Sequence, residues 1–266
     1  MVDSFGREIT YLRISVTDRC NLRCTYCMPA DGLKLLRHED ILSFEEIVEV
    51  TRAAVDMGVN KLRVTGGEPL VRRRIEVLVR MLADLPGVKY LTMTTNGTLL
   101  ADHAQVLADA GLHRVNISLD AIDPEHFKTI TRGGDVTRVL AGIGAAKHAG
   151  LEPIKINCVV RESSDEPDAR EVARFAHDSG LQVRFIRQME FAAGKFSVVE
   201  GGVGGDCERC NRLRLSSDGL VRPCLFSDIN FSVRELGPKQ ALEQAASHKP
   251  ESGLPCSENL MSRIGG

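Results

Sequence analysis

The chain has 266 residues, of which 43% are hydrophobic and 26% charged, with a formal net charge of −2. That length accommodates one large barrel-like domain, or a domain with an appendage. So balanced a charge argues against general adhesion to nucleic acid or membrane.

No apolar run approaches the roughly eighteen residues of a membrane span, and no basic-then-apolar leader opens the sequence. Eight cysteines in a chain of this length suit metal binding better than a disulfide framework. A reducing, cytoplasmic compartment is expected.

In chain order, the alternation of Leu12, Ile14 and Val16 predicts a strand near 11–16. Cys20, Cys24 and Cys27 follow at C-x3-C-x2-C spacing. Thiolates are soft ligands that suit zinc, copper(I) and iron–sulfur clusters. A structural zinc site wants four protein ligands, and His38 is the nearest further candidate. A three-thiolate cluster with one open iron therefore competes with a zinc knuckle or three unrelated thiols.

After a connector over 31–40, Ser43 and Glu46 have the spacing of a capping box. Phe44, Ile47, Val48, Ala54 and Val55 continue it as a helical stripe up to Met57. Gly58 ends the helix, and residues 61–65 read as the second strand. The same grammar recurs at Gly111, Gly150 and Gly180, each followed by Leu and then a strand. Ile75, Leu78, Val79 and Leu82 mark a helix before a strand at 90–94. The Arg72-Arg73-Arg74 run is expected to be an exposed helix start.

Strands near 11–16, 61–65, 90–94, 114–119, 154–160 and 183–187 thus alternate with helices. The fold class expected is α/β, an incomplete (β/α)6 barrel of parallel strands over residues 1–190. In such barrels reactive groups gather at the C-terminal strand ends. The three cysteines, Gly66-Gly67-Glu68-Pro69, Thr94-Thr95-Asn96, Ser118-Leu119-Asp120 and Met189-Glu190 all fall there. They are expected to share one rim.

Residues 191–206 are Gly-rich and read as a linker. Cys207, Cys210 and Cys224 then form a second triad, to which a zinc ribbon with Cys256 as fourth ligand is the alternative. Asp218-Gly219 predicts a hairpin that returns Cys224 to its partners. A short helix is expected near 239–247. Residues 207–266 would thus be a small C-terminal iron–sulfur extension, ending in Gly265-Gly266.

The first triad with Gly66-Gly67-Glu68-Pro69 resembles the radical S-adenosylmethionine (SAM) superfamily. Two triads flanking six β/α units, with Asn211-Arg212-Leu213-Arg214 and a Gly-Gly terminus, resemble its GTP 3′,8-cyclase family of molybdenum-cofactor biosynthesis. The likeness covers residues 5–190, 207–226 and the last seven.

It implies two 4Fe–4S clusters, on Cys20, Cys24 and Cys27 and on Cys207, Cys210 and Cys224. It implies a SAM pocket at Tyr26, Gly67, Ser118 and Met189. GTP would be held by Arg13, Arg63, Thr94, Lys155, Arg212, Leu213 and Arg214, its guanine meeting the second cluster. The implied lyase reaction is abstraction of the ribose C3′ hydrogen by a 5′-deoxyadenosyl radical, followed by closure onto C8 to 3′,8-cyclo-7,8-dihydro-GTP. An electron donor is needed, the chain is a monomer or homodimer, and the glycine tail threads into the site.

Three features depart from the family pattern: the shortness of 191–206, Cys256, and Arg187-Gln188 where an acid is common. A radical SAM enzyme that modifies a peptide, and a non-catalytic metal scaffold, are the competing readings.

Overall fold

The computed structural model describes residues 1–256 and Ile264. Gly265-Gly266, expected to thread into the site, lie outside the described residues.

Six parallel strands lie edge to edge in chain order: β1 (Tyr11–Ser15), β2 (Lys61–Thr65), β3 (Tyr90–Thr95), β4 (Arg114–Ser118), β5 (Lys155–Val160) and β6 (Gln182–Arg187). Between them run α1 (Phe44–Asp56), α2 (Ile75–Ala83), α3 (Leu100–Asp109), α4 (Pro124–Thr131), α5 (Val136–His148) and α6 (Pro167–Asp178). This is the expected α/β partial barrel, with β1 and β6 not joined to each other.

The local chemistry behaves as the sequence predicts. Ser43 accepts from the Glu46 amide at 3.1 Å while Glu46 accepts from the Ser43 amide at 2.7 Å, so the capping box forms at the start of α1. Gly58, Gly111, Gly150 and Gly180 take positive φ just past their helices. On α1, Ile47, Val48, Val50 and Ala54 turn inward onto the sheet.

Strand side chains alternate between two faces. Leu12, Ile14, Leu62, Val64, Leu91, Met93, Val115 and Ile117 join the helices in one continuous core. The intervening residues turn into the barrel. The register sets Tyr11 beside Lys61, Arg13 beside Arg63, and Arg63 beside Thr92.

The region after residue 206 continues the same sheet. Strand β7 (Arg212–Leu215) pairs in parallel with the free side of β1, setting Arg13 beside Arg214. β8 (Leu220–Arg222) and β9 (Phe231–Ser232) follow antiparallel. The predicted hairpin turn is there, with Gly219 at φ 86°, a backbone that a Cβ would strain. α7 (Val233–Leu236) leads to α8 (Pro238–Ser247), which packs on α1.

Residues 191–206 read as a linker, yet they fold against the barrel. Phe185 on the outer edge of β6 and Glu200 exchange backbone hydrogen bonds of 3.1 Å each way. An open strand edge carries unpaired amides and carbonyls, and the segment covers part of this one as a strap.

The arginine run is corrected at Arg72 only, since Arg73 and Arg74 are exposed at the start of α2 as expected. Arg72 is not a solvated helix start: it donates to the carbonyls of Val16 and Leu42 and lies 4.5 Å over the Phe44 ring. Burial pulls its guanidinium down to about 10.

Candidate active site

The loop after β1 carries the first triad and is held in place by glycines. Gly67 donates to the Thr17 carbonyl at 2.7 Å, and Glu68 to that of Arg19 at 2.8 Å. A Cβ on Gly67 would stand 2.3 Å from the Arg19 oxygen. The close approach that demands glycine here is therefore to the cysteine loop itself. Glu68, fully enclosed, accepts from Leu70 N, Thr95 Oγ1 and Asn96 N at 3.0, 2.7 and 2.6 Å. Burial pushes its carboxyl up to about 7.

Cys20, Cys24 and Cys27 are half-buried free thiols. Cys27 N and Met28 N both donate to the Cys24 carbonyl, at 3.0 and 3.1 Å, which curls the loop into a turn. Arg132 braces it from α4, donating to the carbonyls of Arg23 and Met28 at 3.0 and 2.7 Å. Burial, then the charges of Asp120 and the other two thiols, pushes Cys24 up to about 12. Burial, then Cys20 and Asp120, pushes Cys27 up to about 11.

Asp120, just beyond β4, is buried and accepts from Tyr26 Oη at 2.7 Å and from Val159 N at 2.8 Å. Burial raises its carboxyl to about 6. Tyr26 is thereby tied to the end of β4, two residues beyond Ser118.

Inside the barrel lies a cavity of about 260 Å³, close to the lower end of the range for small-molecule sites. Arg13, Lys61, Arg63, Arg114, Arg184, Arg212, Arg214 and Lys249 line it, and among the described lining residues Asp206 is the one carboxylate. The Nε atoms of Arg63 and Arg184 are buried without a hydrogen-bond partner among the described residues. Arg63 Nη1 donates to Thr94 Oγ1 at 3.3 Å.

The crowding shows in the titrations. Burial, then Arg184, Arg114, Lys61 and Arg63, pulls the Lys155 ammonium down to about 8. Burial, then Arg212, pulls Arg214 down to about 10. Burial would raise the Tyr11 phenol, but Arg63, Arg13 and Lys61 around it bring it below its ordinary value. Clustered, partly desolvated cations are costly unless an anion joins them. The cavity is built for a polyanion.

The far wall holds the second triad: Cys207, Cys210 and Cys224 all line the cavity. The strap supplies Phe196, Ser197, Val199 and residues 202–206.

The radical SAM superfamily model matches residues 14–176. A curated GTP 3′,8-cyclase of Petrotoga mobilis is 38% identical over 324 aligned positions, covering 100% of each chain. That of Geobacter sulfurreducens is 40% identical over 303 positions, covering 94% of this chain and 93% of its own. The chain belongs to the radical SAM superfamily and, within it, to the GTP 3′,8-cyclase family.

Alignments of up to 324 positions exceed the 266 residues of this member, so several dozen residues of its relatives have no counterpart here. Among solved structures, native anSMEcpe with bound AdoMet and Kp18Cys peptide superimposes with a TM-score of 0.63 at 18% identity, covering 91% of this chain and 81% of its own. Streptococcus suis SuiB gives 0.62 at 16% identity, covering 91% and 66%. At such identity these two share the fold alone.

Members of the superfamily carry SAM and a 4Fe–4S cluster, and the first triad of this one fits the cluster. Burial and mutual repulsion make three adjacent thiolates unfavourable by themselves, and a cationic iron core reverses both effects. Among the described residues no three His, Cys, Asp or Glu side chains gather closely enough for a single metal ion. Thiolates around a polynuclear core stand further apart than ligands of one ion.

The expected site residues of this family member divide as follows. Arg13, Arg63, Arg212, Arg214 and Met189 line the cavity. Thr94 faces it through Arg63, and Lys155 acts on it through charge. Leu213 is a correction: its side chain is fully buried in the core on the opposite face, beside Leu12, because it alternates with Arg212 and Arg214. Cys256 does not line the cavity; it is buried in an apolar cluster with Leu225 and Phe226, which do line it, and Cys224 packs against that cluster.

Sequence reading missed Tyr11, Lys61, Arg114, Arg184 and Lys249. The first four carry a legible signal, since each alternates with or stands opposite an inward-facing strand position. Lys249 follows α8 and carries none.

Proposed function

We propose that this chain converts GTP to 3′,8-cyclo-7,8-dihydro-GTP as a radical SAM lyase, in the cytoplasm, drawing on an external electron donor. The observation that carries the reading is a cation-lined cavity reaching from Met189, beyond β6, to the Cys207, Cys210 and Cys224 wall. A nucleoside triphosphate answers it. The phosphates meet Arg13, Arg63, Lys155 and their neighbours, whose guanidinium forks suit phosphate oxygens.

Bound at Cys20, Cys24 and Cys27, a cluster with SAM supplies a carbon-centred radical able to take the C3′ hydrogen. Tyr26, Gly67, Ser118 and Met189 orient SAM. Thr94 with Arg63, and Lys155, hold the ribose–phosphate part so that C3′ faces it. Cys207, Cys210 and Cys224, three thiols on one wall, fit a second cluster, and Arg212 and Arg214 fix the guanine there so that C8 stays within reach of C3′. The strap and the half-buried barrel keep water and stray C–H bonds away from the reacting atoms. Residues 1–190 serve as the radical SAM unit, 191–206 as its wall and 207–266 as the second-cluster unit.

Curated relatives at 36–41% identity bear the cyclase name, whereas the structures with bound peptide are 21% identical at most. The peptide-modifying alternative is not favoured. Anaerobic incubation of reconstituted protein with SAM, dithionite and GTP, followed by chromatographic separation and NMR as well as mass analysis of the product, which is isomeric with GTP, decides. The expected outcome is 5′-deoxyadenosine with a cyclised nucleotide of unchanged triphosphate. SAM cleavage that GTP neither stimulates nor couples to a product would overturn the reading.

A further inference from the structure

The second triad is split across two loops. Cys207 and Cys210 precede β7, whereas Cys224 follows β8. The β7–β8 ladder, with Arg214 beside Arg222, brings the two loops near each other but ends before either of them, so another group has to join the loops themselves.

Lys249 does so from a third segment. It is 3% exposed, unusual for a residue type almost never fully buried. Its Nζ donates to the Arg212 carbonyl at 2.8 Å and to the Pro223 carbonyl at 2.6 Å. One carbonyl lies two residues after Cys210, the other one residue before Cys224. Lys249 and Cys210 line the same cavity.

A buried ammonium needs a counter-charge. The neighbouring brace, Arg7, has a carboxylate: it pairs with Asp3 at 2.6 Å while donating to the Cys207 carbonyl at 2.7 Å. Lys249 has no carboxylate among its hydrogen-bond partners; it lines the same cavity as Cys207, Cys210 and Cys224, where Asp206 is the one lining carboxylate among the described residues. A buried cation beside three cysteines makes sense when those cysteines carry a negatively charged group.

We propose that Lys249 is a positioning residue for the second iron–sulfur site, locking its two loops together and, through its buried charge, stabilising the more negative, reduced state of the cluster held there. This rests on the reading of the second triad as a cluster site. The cation acts on the cluster potential as any fixed positive charge does, by favouring added electrons.

The test is made on the anaerobically reconstituted full chain, parent against Lys249→Met, by iron content, chelator challenge and redox titration followed by EPR. A parent that holds iron for one cluster only sinks the second-cluster reading, and the inference with it. With two clusters in the parent, Lys249→Met is expected to give up second-cluster iron at least about tenfold faster and to titrate at a more negative potential. The SAM-dependent change in the first cluster's EPR signal stays, which shows that the barrel is intact. Lys249→Arg, which restores the charge, should recover part of the potential. Parental iron retention and parental potential in Lys249→Met overturn the inference while leaving the second cluster standing. Should Lys249→Met not fold, Lys249→Gln, which keeps a donor for both carbonyls but no charge, decides: a parental potential there overturns it equally.

Discussion

Tyr26 Oη donates to Asp120 Oδ2 at 2.7 Å, joining the loop of the first cysteine triad to the end of β4. The bond spans 94 positions of sequence. It places an aromatic ring and a carboxylate beside three thiols whose own charges repel one another. Asp120 keeps a second donor in Val159 N, so the carboxylate is held rigidly while the tyrosine holds the loop.

Tyr26→Phe removes one donor from a buried carboxylate. The loss expected is about 1–3 kcal/mol of unfolding free energy, read by urea denaturation of the metal-free protein. Tighter than parental stability would show that the bond is strained rather than supporting.

Cys24→Ala removes the thiol at the centre of the first triad. Iron content should fall by one cluster, and 5′-deoxyadenosine formation on reduction should vanish. Second-cluster iron should be unaffected, because Cys207, Cys210 and Cys224 line the cavity whereas Cys20, Cys24 and Cys27 do not. Retained SAM cleavage in this variant excludes the assignment of the first site.

Arg63→Ala deletes a cation that lines the cavity, and Lys155→Ala one that acts on it through charge. A charge-assisted contact contributes about 1.5–3 kcal/mol, so GTP affinity measured by calorimetry should drop by about ten- to a hundredfold. The Lys155 ammonium, held down to about 8, carries its charge below that pH and loses it above. GTP affinity should therefore decline as pH rises from 7 to 9. Lys155→Arg, which stays charged, should flatten that slope.

Gly205→Ala tests the strap. A Cβ there would stand 2.1 Å from the Ser197 carbonyl, and the residue's φ is 81°. The strap must shift, and with it the wall formed by Phe196, Val199 and residues 202–206. GTP binding should weaken severalfold, while SAM cleavage without GTP persists and cluster content is kept. Unchanged GTP affinity would show that the strap is not part of the substrate wall.

Much of the architecture was legible along the chain because it depends on neighbours in sequence. The capping box at Ser43 and Glu46, the glycines past the helices and the period-two strands each follow from local geometry. The radical SAM spacing of Cys20, Cys24 and Cys27 is likewise local, since a single loop carries all three. The inward cations at Arg13, Arg63 and Arg214 were within reach for the same reason, and Leu213 was misplaced only because alternation was not applied to β7.

What the tertiary structure decided depends on contacts between distant segments. The pairing of β7 with β1 makes the second triad a wall of the barrel instead of a separate appendage. The bond between Phe185 and Glu200 turns a Gly-rich stretch into a strap. Arg72 reaches carbonyls of Val16 and Leu42, and Lys249 reaches those of Arg212 and Pro223. No periodicity marks such residues, because a long cationic side chain is compatible with solvent or with buried carbonyls alike. Only the packed chain, which removes water from those carbonyls, settles where each cation goes.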